Sequence, residues 1–361
     1  MPEISIFEAI VWPVYAQDKK RLQSPVKVLK MRCFIKRLFR NTMLLFFAAV
    51  IAGLLLLVWA ADRFVSAAVA TALNLGMTPI MVGLTVIAFG TSAPELIVSA
   101  TAALEGAGNL AVGNAIGSNI ANIALVLGLT ALISAIPIKD SILQLEFPIL
   151  LATTLGATYL LWDAELTPWD GVGLLALLFV ALFLLAKLQK KTVDDFEELD
   201  DTEPMSARKA YIILALSIVL LLVSSQALVW GASGIARELG VSELIIGLTI
   251  VAIGTSLPEL AASVASALKG HHDLALGNIV GSNLFNLLAV LAIPAMINPP
   301  KIDQNAFHVD YAVMLALTFA LALTAYGVRI MGQHHWGKAL GAVFLLSYGA
   351  YMYHLYLQTL V

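Results

Sequence analysis

Long runs of apolar residues dominate this sequence and limit the folds that it can adopt. Met43–Ala61, Ile149–Trp162, Leu174–Ala186 and Ile212–Val223 contain no Asp, Glu, Lys, Arg or His. A helix of about 20 apolar residues crosses the hydrocarbon core of a bilayer. Charged residues make up 12% of the chain, whereas a soluble domain has roughly 25%. The sequence therefore predicts an all-α polytopic membrane protein and excludes a soluble enzyme, a nucleic-acid-binding protein and a disulfide scaffold.

The apolar pattern predicts ten transmembrane helices in two units of five. Their approximate bounds are 43–72, 79–103, 109–134, 145–162, 169–188, 210–235, 243–268, 273–297, 308–329 and 337–357. The predicted organisation is a basic amino-terminal extension at 1–42, a first five-helix repeat at 43–188, an acidic linker at 189–209 and a second five-helix repeat at 210–361. The linker lacks the residue spacing of a calcium-binding EF-hand, so we interpret it as solvated chain and not as a calcium sensor.

An internal repeat relates the two units. Gly83–Asn122 reads GLTVIAFGTSAPELIVSATAALEGAGNLAVGNAIGSNIAN, and Gly247–Asn286 reads GLTIVAIGTSLPELAASVASALKGHHDLALGNIVGSNLFN. Without a gap, 22 of 40 positions are identical at a constant offset of 164 residues. Glu146 and Asp310 keep the same offset outside the repeat, which extends the correspondence to the whole five-helix units.

The repeat is predicted to be inverted in the membrane. Equivalent helices are five crossings apart, and an odd number of crossings makes the two copies enter from opposite sides. Secondary transporters commonly have this design, with the substrate site near the membrane midplane where the repeats meet. Channels can share the design, so the repeat alone does not establish transport.

The distribution of basic residues predicts the orientation. Loops on the side of the central linker hold ten Lys and Arg residues, and loops on the other side hold two. The positive-inside rule then places the linker in the cytoplasm and both termini outside, in a plasma (inner) membrane. The nine Lys and Arg residues within 1–42 oppose this orientation. Two hypotheses account for them: translation starts at Met43, or the extension lies on the membrane surface.

Two glutamates interrupt the apolar spans at equivalent positions. Glu95 and Glu259 lie in the second and seventh predicted helices. A charged side chain inside a membrane is costly, so it indicates a functional site by default. The alternative is a pair of protonated glutamates that only bridge helices through hydrogen bonds. We favour the functional interpretation because other oxygen-bearing side chains accompany both glutamates.

The motif around each glutamate supplies further oxygens. Thr91, Ser92 and Glu95 are three and four residues apart, which places them on one face of a helix. Pro94 has no N–H, so the carbonyl of Gly90 loses its helical donor and is free to bind a cation. The segment from 254 to 259 repeats this arrangement with Pro258. A kink used only for packing is the alternative.

A second motif follows each glutamate. It reads GNAIGSNIAN from residue 113 and GNIVGSNLFN from residue 277, and Ser118 and Asn122 correspond to Ser282 and Asn286. The glycines have the spacing that lets helices approach closely, which explains them without any ligand. Close packing does not explain three asparagines in each motif, because amides buried in a membrane need partners.

These groups together predict a site for a hard cation. Carboxylates, hydroxyls, amides and carbonyls are all oxygen ligands, which suit Ca²⁺, while a soft metal would require Cys or His. Two glutamates balance the charge of one Ca²⁺, and Na⁺ can use the same oxygens. If the two ions compete for one site, the empty site carries two uncompensated charges and is costly to reorient. This is a sufficient physical basis for obligatory exchange.

At these motifs the chain resembles the sodium/calcium exchanger family of the calcium/cation antiporter superfamily, in its short prokaryotic form. The resemblance covers both repeats and the ten-helix arrangement. It implies a secondary antiporter that exchanges Ca²⁺ for Na⁺ by alternating access, with the first and sixth helices sliding against the other eight. Some family members have Asp at the position of Asn286, so this chain lacks one negative charge that they carry.

The resemblance also implies a ligand for each ion. The implied calcium ligands are the carboxylates of Glu95 and Glu259 and the carbonyls of Thr91 and Thr255. The implied sodium ligands are Ala88, Ser92 and Ser118 in one repeat and Ala252, Ser256 and Ser282 in the other, with Asn122 and Asn286 completing the centre.

The sequence leaves two other transport functions open and argues against an intramembrane enzyme. A Ca²⁺/H⁺ antiporter could use the same carboxylates, and a cation channel would conduct without a counter-ion. An intramembrane enzyme would need a nucleophile and base, or a metal triad, and the sequence offers neither. We expect Ca²⁺ and Na⁺ as substrates and the lipid bilayer as surroundings. We expect no cofactor, no nucleic acid and no obligatory protein partner.

Overall fold

The computed structural model describes residues 25–189, 205–241, 246, 249–250, 252–302 and 304–358. The helices are α1 Pro25–Leu75, α2 Pro79–Thr91, α3 Ala93–Leu104, α4 Gly108–Ile133, α5 Ile142–Leu160, α6 Pro168–Leu188, α7 Ala207–Glu238, α8 Ala252–Thr255, α9 Leu257–Leu268, α10 His272–Ile297, α11 Gln304–Ile330 and α12 Lys338–Gln358. The strands β1 Ile136–Pro137 and β2 His335–Trp336 pair antiparallel.

The predicted all-helical membrane class is confirmed. Within the described residues, seven helices are long and apolar enough to cross a membrane, and α2 with α3 forms an eighth, bent span. The predicted span 243–268 falls partly outside the described residues, as do most of the acidic linker and the first part of the amino-terminal extension. The ten-helix count therefore stays a prediction. Helix α1 begins at Pro25, inside the predicted extension.

Helices α1 and α7 pack against each other over most of their length. Asn74 near the end of α1 donates to the carbonyl of Met205 just before α7, and the Phe46 ring contacts Trp230. The two helices are therefore antiparallel. Small residues allow their close approach, since a Cβ on Gly231 would lie 2.7 Å from the Phe46 carbonyl oxygen.

Helices α4 and α10 form the centre of the protein. Of their most apolar stretches, 72% and 83% are buried, against 17% for α1. Helix α2 crosses α10 at very short range. A Cβ on Gly277 would lie 2.5 Å from the Ile80 carbonyl oxygen, and a Cβ on Gly281 would lie 2.5 Å from the Leu84 carbonyl oxygen. The predicted role of these glycines in helix packing is confirmed for α10 but not for α4, where a Cβ on Gly113 or Gly117 would meet no described atom of another helix within 4 Å.

The predicted breaks beside both prolines are confirmed. Helix α2 ends at Thr91, α3 begins at Ala93, and the two are bent by 43°. Ser92 between them has φ −80° and ψ 8°, and Ser256 between α8 and α9 has φ −87° and ψ 3°. The same conformation at equivalent positions follows from the same cause, because a proline two residues later has no N–H for the preceding turn.

Two ion pairs lie near the amino-terminal end of α10, and they differ in how far their carboxylates are buried. Lys139 Nζ lies 2.7 Å from Asp273 in the first turn of α10, and Lys269 Nζ lies 2.7 Å from Asp62 on α1. The Asp273 side chain is 4% exposed and the Asp62 side chain is 54% exposed.

We expect Lys139→Met to lower the melting temperature of the purified protein more than Lys269→Met. The first change weakens the hydrogen bonding of a buried carboxylate, at a cost of about 1–3 kcal/mol. The second removes an exposed ion pair, which contributes less than about 1 kcal/mol, together with exposed hydrogen bonds to the Asp62 carbonyl and to Ser66 whose acceptors water can reach. Thermal unfolding in detergent measures both shifts, and equal shifts would contradict the prediction.

Candidate functional site

The two glutamates lie at equivalent positions after the helix breaks. Glu95 is in the first turn of α3 and Glu259 is in the first turn of α9, and their exposed fractions are 0% and 1%. Ser92, three residues before Glu95, hydrogen bonds the Glu259 carboxyl group. The breaks therefore bring two acidic groups, distant in sequence, to one buried place.

Serine hydroxyls bind both carboxyl groups. Ser92 Oγ, from the first repeat, donates to Glu259 Oε1 of the second repeat at 3.2 Å. Ser118 Oγ on α4 donates to Glu95 Oε1 at 3.4 Å. The bond from Ser92 crosses between the repeats, so each carboxyl group is positioned by residues outside its own helix.

A second set of contacts crosses the repeats at Thr91. Its hydroxyl donates to Asn278 Oδ1 at 3.1 Å and lies 3.4 Å from Ser282 Oγ, both on α10. Thr91, Asn278 and Ser282 are all buried. The close glycine crossing of α2 and α10 makes these contacts possible, since larger residues there would separate the two helices.

Several buried polar atoms at this place have no hydrogen-bond partner among the described residues. They are the second carboxyl oxygens of Glu95 and Glu259, the hydroxyl of Ser256, and both amide atoms of Asn122 and Asn286. Buried polar groups are normally paired, and a group of unpaired oxygens requires an explanation. A cation would bind the carboxyl, hydroxyl and amide oxygens among these atoms, and this donor set fits a hard ion. The two amide NH₂ groups are donors, which a cation does not satisfy.

Asn122 and Asn286 also begin irregular helix turns. A wide, π-type turn covers Asn122–Leu127 in α4, and another covers Asn286–Val290 in α10. Such turns are rare and occur frequently at functional sites. Further turns of this type cover Gly83–Ile87 in α2 and Ile142–Glu146 in α5, so the equivalent positions of the first two support the correspondence of the repeats and not a ligand role by themselves.

The remaining predicted ligands lie on the elements that carry the cluster. Ala88 is buried in α2, and its carbonyl accepts the Ser92 N–H at 3.0 Å. Thr255 ends α8 and is 9% exposed. Ala252 begins α8, and its side chain is outside the described part of the chain.

The carbonyl of Gly254 in the second repeat, which was predicted to lack a donor, is hydrogen-bonded. Ser225 Oγ on α7 donates to the Gly254 carbonyl at 2.6 Å. A hydroxyl from another helix thus replaces the donor that Pro258 cannot supply, and this carbonyl is not left unbound as the sequence predicted.

Two asparagines that the sequence analysis did not assign hold the glutamate backbones. Asn114 Nδ2 donates to the Glu95 carbonyl at 3.1 Å and to Ser99 Oγ at 3.4 Å. Asn278 Nδ2 donates to the Glu259 carbonyl at 3.3 Å and to Ser263 Oγ at 2.9 Å. The signal was present, because these asparagines and serines keep the repeat offset and buried amides require partners.

We expect Asn278→Ala to destabilise the protein more than Asn114→Ala. Asn278 is buried and also accepts a bond from Thr91, whereas Asn114 is half-buried. Each lost bond that leaves a buried partner unsatisfied costs about 1–3 kcal/mol. Melting temperatures of the two purified variants measure the difference, and a larger loss for Asn114→Ala would contradict this asymmetry.

A multi-pass helical protein with two buried carboxyl groups in an oxygen-rich cluster has the features of a membrane ion transporter. The chain belongs to the sodium/calcium exchanger family. The family model described as sodium/calcium exchanger protein matches residues 45–187 and 209–357, which are nearly all of both predicted five-helix units. The protein is thus a member of a family of membrane antiporters, and this family is one of transporters and not of enzymes.

Individual relatives agree with this assignment. The chain is 45% identical over 312 residues to the CaxA protein of Alkalimonas amylolytica, covering 85% of this chain and 97% of that protein. It is 28% identical over 315 residues to sodium/calcium exchanger MaX1 of Methanosarcina acetivorans, covering 77% of this chain and 90% of MaX1.

A solved structure has the same fold. The sodium-calcium exchanger NCX_Mj, soaked with zero Na⁺ and Ca²⁺, superposes with a TM-score of 0.74 and 31% identity. The match covers 87% of this chain and 99% of NCX_Mj. The resemblance to short prokaryotic exchangers inferred from the two motifs is confirmed.

Proposed function

We propose that this protein exchanges Na⁺ for Ca²⁺ across the membrane at the cluster formed by the two glutamates. The observation that carries the proposal is the pair of buried carboxyl groups whose second oxygens have no partner among the described residues. Their two charges match one Ca²⁺, and the hydroxyls of Ser92 and Ser118 can donate to the carboxylates while their oxygen atoms face an ion.

Sodium is the counter-ion that the oxygen-rich surroundings favour. A proton needs only the carboxylates, whereas Na⁺ requires additional hydroxyl, amide and carbonyl oxygens. The proposed ligands are Glu95, Glu259, Thr91, Thr255, Ser92, Ser256, Ser118, Ser282, Asn122, Asn286, Ala88 and Ala252. The names of MaX1 and NCX_Mj, both sodium/calcium exchangers, support this assignment for a chain with the same fold.

The proposed architecture is ten helices in two inverted repeats. Equivalent breaks at Ser92 and Ser256, equivalent π-type turns at Asn122 and Asn286, and equivalent amide contacts in both repeats support it. We place the central linker in the cytoplasm, both termini outside, and the protein in the plasma (inner) membrane. An Escherichia coli relative, 40% identical over 293 residues, is named an inner membrane protein.

Alternating access completes the proposal. Gly113 is exposed and Asn114 is half-buried on α4, whereas the equivalent Gly277 and Asn278 on α10 are buried. This asymmetry supports a state that is open along α4 and closed along α10. In the opposite state, movement of the α1–α7 pair relative to the other helices would reverse the two exposures.

The test uses proteoliposomes that contain the purified protein and internal Na⁺, diluted into Na⁺-free buffer with external Ca²⁺. We expect Ca²⁺ uptake that requires internal Na⁺. Uptake driven by a pH gradient but not by Na⁺ would assign the protein to Ca²⁺/H⁺ exchange. Uptake without either gradient would indicate a channel and would overturn exchange.

A further inference from the structure

Helix α7 is joined to the second half of the candidate site by one buried hydrogen bond. Ser225 Oγ donates to the Gly254 carbonyl at 2.6 Å, and Ser225 is 1% exposed. The carbonyl needs this donor because residue 258 is proline and supplies no N–H. The bond therefore replaces a missing helical bond in the turn just before the break at Ser256.

The same turn of α7 also contacts Gly254 directly. A Cβ on Gly254 would lie 2.0 Å from Val229 Cγ2, so a larger residue here would require the Val229 side chain to move. Gly254 precedes Thr255, whose carbonyl is a proposed Ca²⁺ ligand, and Glu259 follows in the next turn. A hydrogen bond to the Gly254 carbonyl holds the Gly254–Thr255 peptide in one orientation. The direction of the Thr255 carbonyl depends on that orientation.

Among the described residues, no side chain donates to the carbonyl of Gly90, the equivalent of Gly254 in the first repeat. The residue at the repeat offset from Ser225 is Ala61, which has no hydroxyl. A Cβ on Gly90 would lie 2.6 Å from Ile218 Cδ1, so the side chain of α7 that lies over this glycine is apolar. Both glycines thus have an apolar side chain of α7 over them, and Gly254 also receives the hydrogen bond from Ser225.

We propose that Ser225 is a positioning residue for cation binding, which orients the Gly254–Thr255 peptide so that the second repeat presents its ligands correctly. The proposal rests on the proposed cation site. It assigns to α7 a specific part in binding affinity, although no residue of α7 is among the proposed ligands. Without Ser225 the peptide samples several orientations, and the ion binds only the fraction that is competent.

Four variants test this role. Ser225→Ala removes the hydroxyl, Ser225→Cys keeps the size with a weaker donor, and Ser225→Thr keeps the hydroxyl. Ser224→Ala is the matched control, because Ser224 is also buried but bonds the Leu221 carbonyl of its own helix at 3.0 Å. The readouts are the KM for Ca²⁺ and the maximal rate in proteoliposomes, and the rise in melting temperature on adding Ca²⁺ in detergent.

We expect Ser225→Ala and Ser225→Cys to raise the KM for Ca²⁺ about fivefold, the factor that corresponds to one net hydrogen bond. Both should also reduce the Ca²⁺-dependent rise in melting temperature, while Ser225→Thr and Ser224→Ala stay near the wild type. If Ser225→Ala does not fold, the KM and the melting shift of Ser225→Cys alone test the positioning role.

An unchanged KM with only a lower melting temperature of the ion-free protein would overturn the positioning role. Failure of the proposed function is distinguishable, because the wild type would then show no Na⁺-dependent uptake. In that case the Ca²⁺-dependent melting shift still reports whether Ser225 affects binding.

Discussion

We expect Glu95→Gln to abolish Na⁺-dependent Ca²⁺ uptake in proteoliposomes, and we expect the same of Glu259→Gln. Glutamine preserves the size of the side chain and removes one of two charges that balance Ca²⁺. Both glutamates are buried, so water cannot replace the lost interaction as it could at a surface. We expect uptake to fall at least about 100-fold, which corresponds to roughly 3 kcal/mol of lost binding or transport free energy.

The matched control for these variants is Glu105→Gln. Glu105 follows the end of α3 and is exposed, so its replacement should leave uptake near that of the wild type. Calcium-dependent melting shifts separate loss of binding from loss of transport. Uptake by Glu95→Gln within a factor of two of the wild type would contradict the assignment of Glu95 as a ligand.

Gly277→Val is expected to prevent the formation of a stable protein. Even a single Cβ at this position would lie 2.5 Å from the Ile80 carbonyl oxygen and 3.1 Å from the Gly83 Cα. These neighbours are backbone atoms, so no side-chain rotation can relieve the overlap, and α2 must move away from α10. Overpacking typically costs about 1–3 kcal/mol and occasionally more, and here it also separates Thr91 from Asn278 and Ser282.

Gly349→Ala is the control for that substitution. Gly349 is an exposed glycine within α12, and a Cβ there meets no described atom within 4 Å. Alanine should be tolerated or slightly stabilising, since it favours helix by about 1 kcal/mol over glycine. The yield of monodisperse protein and its melting temperature compare the two variants. Normal stability of Gly277→Val would show that α2 and α10 do not cross as described.

The sequence predicted those features of the site that depend on local chemistry. Pro94 and Pro258 each remove a hydrogen bond from the preceding turn of their own helix, so the break at each proline could be predicted without knowledge of the surrounding fold. Glu95 and Glu259 could be singled out because a carboxyl group in an apolar span is costly. The spacing of Gly277 and Gly281 likewise predicted a close helix contact without knowledge of the partner.

Features that depend on how helices lie relative to one another could not be predicted. Ser92 donates to the glutamate of the other repeat, and Ser225 reaches the Gly254 carbonyl from a separate helix. No local pattern specifies either partner. The same limit applies to Asn278 on α10, whose three hydrogen bonds reach Thr91 of α2 and Glu259 and Ser263 of α9.

The hydrogen bonds that cross between the repeats have a consequence for biosynthesis. Ser92 and Glu259 are separated by 167 residues, and Thr91 and Asn278 by 187. A ribosome that adds about 5–20 residues per second needs roughly 8–40 s to extend the chain from the first partner to the second. During that interval the nascent first repeat holds Glu95 in or near the bilayer without Ser92 having its acceptor or Thr91 its amide partner. Co-translational insertion therefore passes through a stage in which the first repeat is complete in length but not in its polar contacts, and we expect this to be the stage most exposed to quality-control proteases.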